Sequence, residues 1–153
     1  MTINSLASIY NFLLLSDFIA TAGQPTEEQL VSIAHHGYQV VVNLALPTSD
    51  HALPNERTMV ESHSMEYVEI PVIWENPTLQ DLEQFFEVME ANQTRKVFVH
   101  CVANKRVSVF MYLYRRLKGG FGETATKGDL LKIWEPNDVW QQFIQQSTAH
   151  YEG

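Results

Sequence analysis

The sequence contains a single cysteine, Cys101, among its 153 residues. One cysteine cannot form an internal disulfide, so the cross-linked framework of a small secreted domain is excluded and a reducing compartment is the simpler expectation. The lone thiol is therefore either part of an inert core or a reactive group. A chain of this length can bury a hydrophobic core without cross-links, and we expect one domain over residues 1–153.

Long apolar runs and an overall basic excess are also absent. Residues 9–15 are apolar and residues 20–22 have a small-x-small pattern, but no Lys or Arg precedes them and Asp17 interrupts the run, so neither a signal peptide nor a membrane span is predicted. The net charge of −8 disfavours general binding to nucleic acid or acidic membranes. We expect a cytoplasmic protein that binds neither nucleic acid nor a membrane. The charge and hydropathy patterns do not indicate an oligomeric state.

The few basic side chains are concentrated around the cysteine. Residues 1–94 contain one basic and thirteen acidic side chains, whereas residues 95–153 contain nine basic and five acidic ones. Solvated helix faces with Arg115, Arg116 and Lys118 account for most of this excess. The distribution nevertheless permits a local anion site beside Cys101.

The hydrophobic pattern predicts strands that alternate with helices. Capping-box sequences at residues 26–29 and 78–81 each begin a predicted helix. Apolar runs predict strands, and apolar spacing predicts further helices, at these approximate positions: strands 39–44, 67–71 and 97–100; helices 54–64, 104–118, 126–134 and 138–149. Such alternation predicts a three-layer α/β/α fold with a central, mostly parallel sheet of about four to five strands. Ligands of such folds bind at the carboxyl ends of strands, directly where Cys101 is expected.

A thiol between a strand and a helix lies in a field that favours anions. The first N–H groups of the helix lack intrahelical partners and the helix dipole is positive at that end. The same field favours thiolate over thiol, which makes Cys101 a candidate nucleophile at neutral pH. Five residues further on, the planar fork of Arg106 can hold two phosphate oxygens, which the point charge of Lys105 cannot imitate.

Four segments resemble a known family: residues 22–30, 37–44, 70–72 and 101–106. Together, and over most of the chain, they are similar to bacterial proteins related to dual-specificity phosphatases, including the phosphatase-like domain fused to some β-lactamase-like hydrolases. The resemblance implies a cysteine-phosphatase-like fold. It also implies an enzyme of the protein tyrosine/dual-specificity type that hydrolyses phosphomonoesters of a protein or a small molecule.

The resemblance implies a role for each residue of the loop. Cys101 attacks phosphorus to form a phosphocysteine, and Arg106 with the loop amides stabilises charge on the equatorial oxygens. Ser108 donates a hydrogen bond to the sulfur, and His100 shapes the loop, although His100 could also be a satisfied core histidine. A substrate phosphate, or free phosphate or sulfate, is expected in a loop that needs no cofactor and consists of Val102, Ala103, Asn104, Lys105 and Arg106.

A general acid must protonate the leaving oxygen. The resemblance places it in the loop after an earlier strand, residues 72–77, which makes Glu75 the first choice. Asp50 is the second choice, and Asp81 the third because its capping-box position already explains it.

Two departures from the common tyrosine-phosphatase pattern leave other functions open. This loop has four residues between cysteine and arginine instead of five, and Asn104 stands where glycine is usual; asparagine is the best substitute for glycine at positive φ. The short loop also resembles that of rhodanese-like sulfurtransferases. A third alternative is a catalytically impaired phosphate-binding regulatory domain. The histidines have no metal-ligand spacing, so we predict no metal site.

Overall fold

A five-stranded sheet lies at the centre of the computed structural model, which describes residues 5–152. In chain order the strands are β1 (Leu13–Leu14), β2 (Ile19–Ala22), β3 (Val40–Asn43), β4 (Glu66–Glu69) and β5 (Val97–His100). Their order in the sheet is β1-β2-β5-β3-β4. Only β1 is antiparallel to its neighbour among these pairs, which confirms the predicted mostly parallel sheet.

Six α-helices and one short 3-10 turn, Leu6–Ser8, accompany the sheet in the described residues. The helices are α1 (Glu27–His35), α2 (Glu56–Ser62), α3 (Leu79–Ala91), α4 (Lys105–Leu117), α5 (Glu123–Ile133) and α6 (Asp138–Glu152). The capping box before α1 is formed: Thr26 Oγ1 accepts from the Gln29 N–H, and Gln29 Oε1 accepts from the Thr26 N–H. At α3 the Thr78 hydroxyl likewise accepts from the Asp81 N–H.

The hydrophobic core has two parts, one on each face of the sheet. Successive residues of a strand point to opposite faces. Val40 and Val42 therefore pack with residues of α3, α4, α5 and α6, whereas Val41 packs on the other face with residues of α1 and α2. The predicted three-layer α/β/α architecture is confirmed.

The sequence pattern does not predict β1 and β2. Alanine has little preference for strands, and β2 contains Ala20 and Ala22, both with no exposed surface. Tertiary packing makes this segment a strand, because it pairs in parallel with β5 and Ala22 lies beside His100. The end of β2 thus reaches the loop that contains Cys101.

Candidate active site

Cys101 lies at the base of a cleft at the carboxyl edge of the sheet. The side chain follows β5 directly, is 1% exposed, and borders a cleft of about 440 Å³. Three segments line this cleft: residues 46–50 after β3, residues 74–75 after β4, and the loop between β5 and α4. The parallel strands bring these segments together because their carboxyl ends share one edge of the sheet.

The guanidinium of Arg106 is fixed against the segment that follows β4. Arg106 Nη1 donates to Val72 O at 2.8 Å, and Arg106 Cζ lies 6.0 Å from the centre of the Trp74 ring. Among residues 5–152, Val72 is the one acceptor that this guanidinium binds. The remaining N–H groups are therefore available to an anion in the cleft that Arg106 lines.

The turn into α4 provides backbone donors. Within the described part of the chain, the N–H groups of Val102, Ala103, Lys105 and Arg106 donate to no backbone or side-chain acceptor. The positive end of the α4 dipole lies at the same place. Backbone donors, helix dipole and Arg106 together form an environment for a bound oxyanion next to Cys101.

Asn104 has the left-handed conformation expected where glycine is usual. Its φ is 63° and its ψ is 3°, and it is the N-cap residue of α4. The side chain does not cap the helix; Asn104 Nδ2 donates to Asn11 O at 2.9 Å and to Thr21 Oγ1 at 3.0 Å. Asparagine therefore supplies the backbone conformation and also binds the loop to the start of the chain.

Gly23 allows a close approach between the end of β2 and the loop. A Cβ atom at this position would lie 2.5 Å from Val102 O. The neighbouring Gln24 N–H donates to the same Val102 oxygen at 2.9 Å. The glycine in the segment at residues 22–30 is thus required by direct packing against the Cys101 loop.

His100 belongs to a buried polar network that includes Glu56, a residue the sequence analysis does not identify. His100 Nε2 lies 2.6 Å from Glu56 Oε2, and Gln24 Nε2 donates to Glu56 Oε1 at 2.8 Å. Burial raises the pKa of the Glu56 carboxyl, but the charge and hydrogen bond of His100 and hydrogen bonds from Gln24 and Tyr67 outweigh it and hold this pKa below its usual value. An acidic residue in the first turn of an amphipathic helix is ordinary, so no sequence signal distinguishes Glu56.

The structure brings two of the three candidate acids to the cleft. Glu75 and Asp50 are exposed and line it together with Cys101. Asp81 is not among the lining residues; of the capping box predicted at residues 78–81, the structure forms the bond from the Asp81 N–H to Thr78 Oγ1.

The segment that carries Glu75 is held by a cluster of three tryptophans. The Trp74 ring centre lies 5.3 Å from that of Trp134 and 5.7 Å from that of Trp140. Trp140 Nε1 also donates to Trp74 O at 3.0 Å. The cluster therefore fixes Trp74, and with it the adjoining Glu75, at the wall of the cleft.

Ser108 does not reach the sulfur. Its hydroxyl donates to Lys105 O at 2.8 Å and accepts from Trp134 Nε1 at 3.0 Å. None of the hydrogen bonds of residues 5–152 joins Ser108 to Cys101. Ser108 is the fourth residue of α4, and its hydroxyl binds the residue that follows α5.

Residues 5–152 contain no group of three or more His, Cys, Asp or Glu side chains placed to hold a metal ion. Across the same residues, none of the helices combines the length and the apolar character needed to cross a membrane.

The sequence matches one family model over residues 16–128, described as "DSP-PTPase phosphatase fused to NAD+ Kinase". None of the curated proteins compared with the chain matches it. Among solved structures, a DUF442 protein from Shewanella putrefaciens CN-32 is 33% identical, with a TM-score of 0.85 over 95% of this chain and 96% of that chain.

Two more distant structures share the fold. The core catalytic domain of the S. cerevisiae PP-IP phosphatase SIW14 is 17% identical, with a TM-score of 0.73 over 90% of this chain and 85% of that chain. P. aeruginosa TpbA is 14% identical, with a TM-score of 0.72 over 90% of this chain and 84% of that chain.

Proposed function

The chain belongs to the DSP-PTPase phosphatase family, and from this membership we propose that it hydrolyses phosphomonoesters with Cys101 as the nucleophile. The observation that carries the proposal is the position of Cys101 at the base of a cleft, between the backbone donors that begin α4 and the guanidinium of Arg106. The lone thiol thus coincides with the place where an oxyanion is best stabilised.

The reaction proceeds in two steps. The Cys101 thiolate attacks phosphorus, the bond from phosphorus to the leaving oxygen breaks, and the leaving oxygen takes a proton from Glu75. Water then attacks the phosphocysteine, Glu75 accepts a proton from that water, and cleavage of the P–S bond releases phosphate and restores the thiolate. The Arg106 guanidinium and the N–H groups of Val102, Ala103, Lys105 and Arg106 stabilise the equatorial oxygens in both steps.

Glu75 is preferred over Asp50 because its segment is tied to Arg106. Val72 O binds the guanidinium and Trp74 lies beside it, so the position of Glu75 is coupled to the group that holds the phosphate. Asp50 lies on the opposite segment, after β3. Both acids are at the mouth of the cleft, where a leaving group would depart.

The substrate is a phosphorylated protein side chain or a small phosphorylated molecule. The cleft places the cations Lys105 and Arg106 with the acids Asp50 and Glu75, a balance that suits one phosphate group better than a cluster of them. Free phosphate or sulfate would occupy the same loop. The lone cysteine supports a cytoplasmic location.

The decisive assay measures phosphate release from p-nitrophenyl phosphate by the wild type and by Cys101→Ser. We expect the variant to lose activity to background; equal rates would show that the cysteine mechanism is wrong. Transfer of sulfur from thiosulfate to cyanide would instead identify a sulfurtransferase. Phosphate binding without turnover in the wild type would identify an impaired regulatory domain.

Arg106→Lys tests the oxyanion holder. Lysine keeps the charge but loses the planar fork, so we expect kcat to fall on the order of a hundredfold or more. Arg116→Lys is the matched control, since Arg116 is on the same helix and binds Tyr112 and Glu152 outside the cleft.

A further inference from the structure

We propose that Glu56 is a positioning residue that keeps His100 as a doubly protonated imidazolium beside Cys101 and thereby favours the thiolate. The inference rests on the proposed role of Cys101 as nucleophile. It concerns a residue on α2 that lies outside the cleft and touches neither the loop nor the reacting atoms. Its effect must therefore pass through His100.

The hydrogen-bond geometry of the ring carries the argument. His100 Nε2 lies 2.6 Å from Glu56 Oε2, and His100 Nδ1 lies 3.3 Å from Cys101 O. Both atoms that face the ring are acceptors. A neutral imidazole has one N–H and can satisfy one of them, whereas an imidazolium satisfies both.

The partners of Glu56 favour a carboxylate. Its Oε1 accepts from Gln24 Nε2 and its Oε2 faces the ring. Burial alone would raise the pKa of this carboxyl, but the charge and hydrogen bond of His100 and hydrogen bonds from Gln24 and Tyr67 hold it below its usual value. The side chains are buried, with 4% of Glu56 and none of His100 exposed. A carboxylate buried this deeply is unfavourable unless a cation is paired with it, and His100 is the group that binds it.

No other charge in the described residues competes for the ring. The strands beside β5 place Ala22 and Asn43 next to His100. From β4, Tyr67 approaches Glu56, and burial together with the Glu56 charge raises the pKa of the Tyr67 hydroxyl, which keeps it neutral. Two charged groups further out, Arg57 and Glu69, pair with each other at 3.5 Å.

The order of the groups places the ring nearer to Cys101 than the carboxylate is. The carboxylate binds Nε2, while Nδ1 faces the carbonyl oxygen of Cys101, so the ring lies between Glu56 and the backbone of Cys101. The positive end of the Glu56–His100 pair is therefore the end next to Cys101. A neighbouring imidazolium favours the thiolate in the same way as the α4 dipole does.

Because Cys101 is the only thiol, its alkylation by iodoacetamide can be followed without ambiguity. We expect Glu56→Gln, which preserves shape but removes the charge, to raise the pH midpoint of alkylation on the order of one unit and to slow alkylation at pH 6 about tenfold. Glu56→Asp should retain most of the wild-type profile. Glu61→Gln, on the same helix with a side chain 55% exposed, is the matched control.

Two outcomes of that experiment would overturn the proposal: a midpoint in Glu56→Gln that is unchanged, or one that falls. A double variant with His100→Asn tests the route, since an effect through His100 requires the double variant to behave like His100→Asn alone.

A measurement on the wild type tests the protonation of His100 without relying on variants that could misfold. The ¹⁵N shifts of the His100 ring at pH 7 should show two protonated nitrogens; one N–H would refute the proposal. Neither readout depends on turnover. If Cys101→Ser still released phosphate, the proposed function would fail, while alkylation and ring shifts would still decide the role of Glu56.

Discussion

Asn11 and Asn104 form a reciprocal link across the Cys101 loop. Asn104 Nδ2 donates to Asn11 O at 2.9 Å, and Asn11 Nδ2 donates to Ala103 O at 3.0 Å. Both residues have positive φ, 51° for Asn11 and 63° for Asn104. Two asparagines thus fix the backbone of the loop from the side of β1 and β2, where a glycine would supply conformation alone.

Replacement of Asn104 separates its two contributions. Asn104→Gly keeps the backbone conformation and loses the side-chain hydrogen bonds, each of which is worth about 1 kcal/mol. Asn104→Ala also incurs about 1–2 kcal/mol for the left-handed conformation. We expect urea unfolding to rank stability as wild type, then Gly, then Ala. An alanine variant more stable than the glycine variant would contradict this account.

Gly23→Ala should displace the loop. The added methyl group would lie 2.5 Å from Val102 O, so the backbone that surrounds the anion site must move. We expect a loss of stability of about 1–3 kcal/mol and a lower kcat/KM toward p-nitrophenyl phosphate. Gly128→Ala is the control: nothing lies within 4 Å of its added Cβ, and it is in α5. That variant should be as stable as the wild type or more so.

Glu75→Gln should affect substrates according to their leaving group. A poor leaving group such as an alkoxide needs a proton, whereas p-nitrophenolate needs it little, so kcat for an alkyl phosphate should fall by roughly 10²–10⁴ and kcat for p-nitrophenyl phosphate much less. Asp50→Asn should leave both rates near the wild type. If Asp50→Asn shows the leaving-group dependence instead, Asp50 is the acid. Glu83→Gln, on the exposed surface of α3, is the control.

The Glu56 carboxyl predicts how stability depends on pH. Its pKa in the folded protein lies below the ordinary value of 4.5, so the unfolded chain binds more protons between the two values. The stabilisation by the carboxylate is therefore complete above about pH 4.5 and is lost as the pH falls through the lower, folded value. Thermal unfolding should show a Tm difference between wild type and Glu56→Gln that is largest near neutral pH and shrinks below pH 4.5. A difference that grows on acidification would contradict this assignment.

Local sequence signals predict the helix starts, the buried strands and the turn that contains Cys101. The capping box at Thr26 and the apolar run that becomes β5 report their own conformations, because helix caps and buried strands are determined by neighbouring residues. The positive φ of Asn104 also follows from residue type and position. These features place Cys101 at a strand-to-helix turn before any long-range contact is known.

What the sequence does not predict depends on contacts between distant residues. Glu56 meets His100 across 44 positions of the chain. The strand β2 contains small residues that would suit several conformations, and its pairing with β5 determines that it is a strand. Ser108 differs for a related reason: its spacing from Cys101 suggests contact with the sulfur, yet Trp134, 26 residues later, binds its hydroxyl. The sequence already ranks Asp81 below Glu75 and Asp50, but only the assembled strands bring Glu75 and Asp50 to the same cleft.

The tryptophan cluster gives this protein an optical property. Trp74, Trp134 and Trp140 are all the tryptophans of the chain, and their ring centres lie between 5.3 and 6.3 Å from one another. Near-ultraviolet light at 295 nm therefore excites one compact group of indoles, and one of these rings lies beside Arg106. Intrinsic emission from this protein reports on the wall of the cleft and not on an average over the whole molecule.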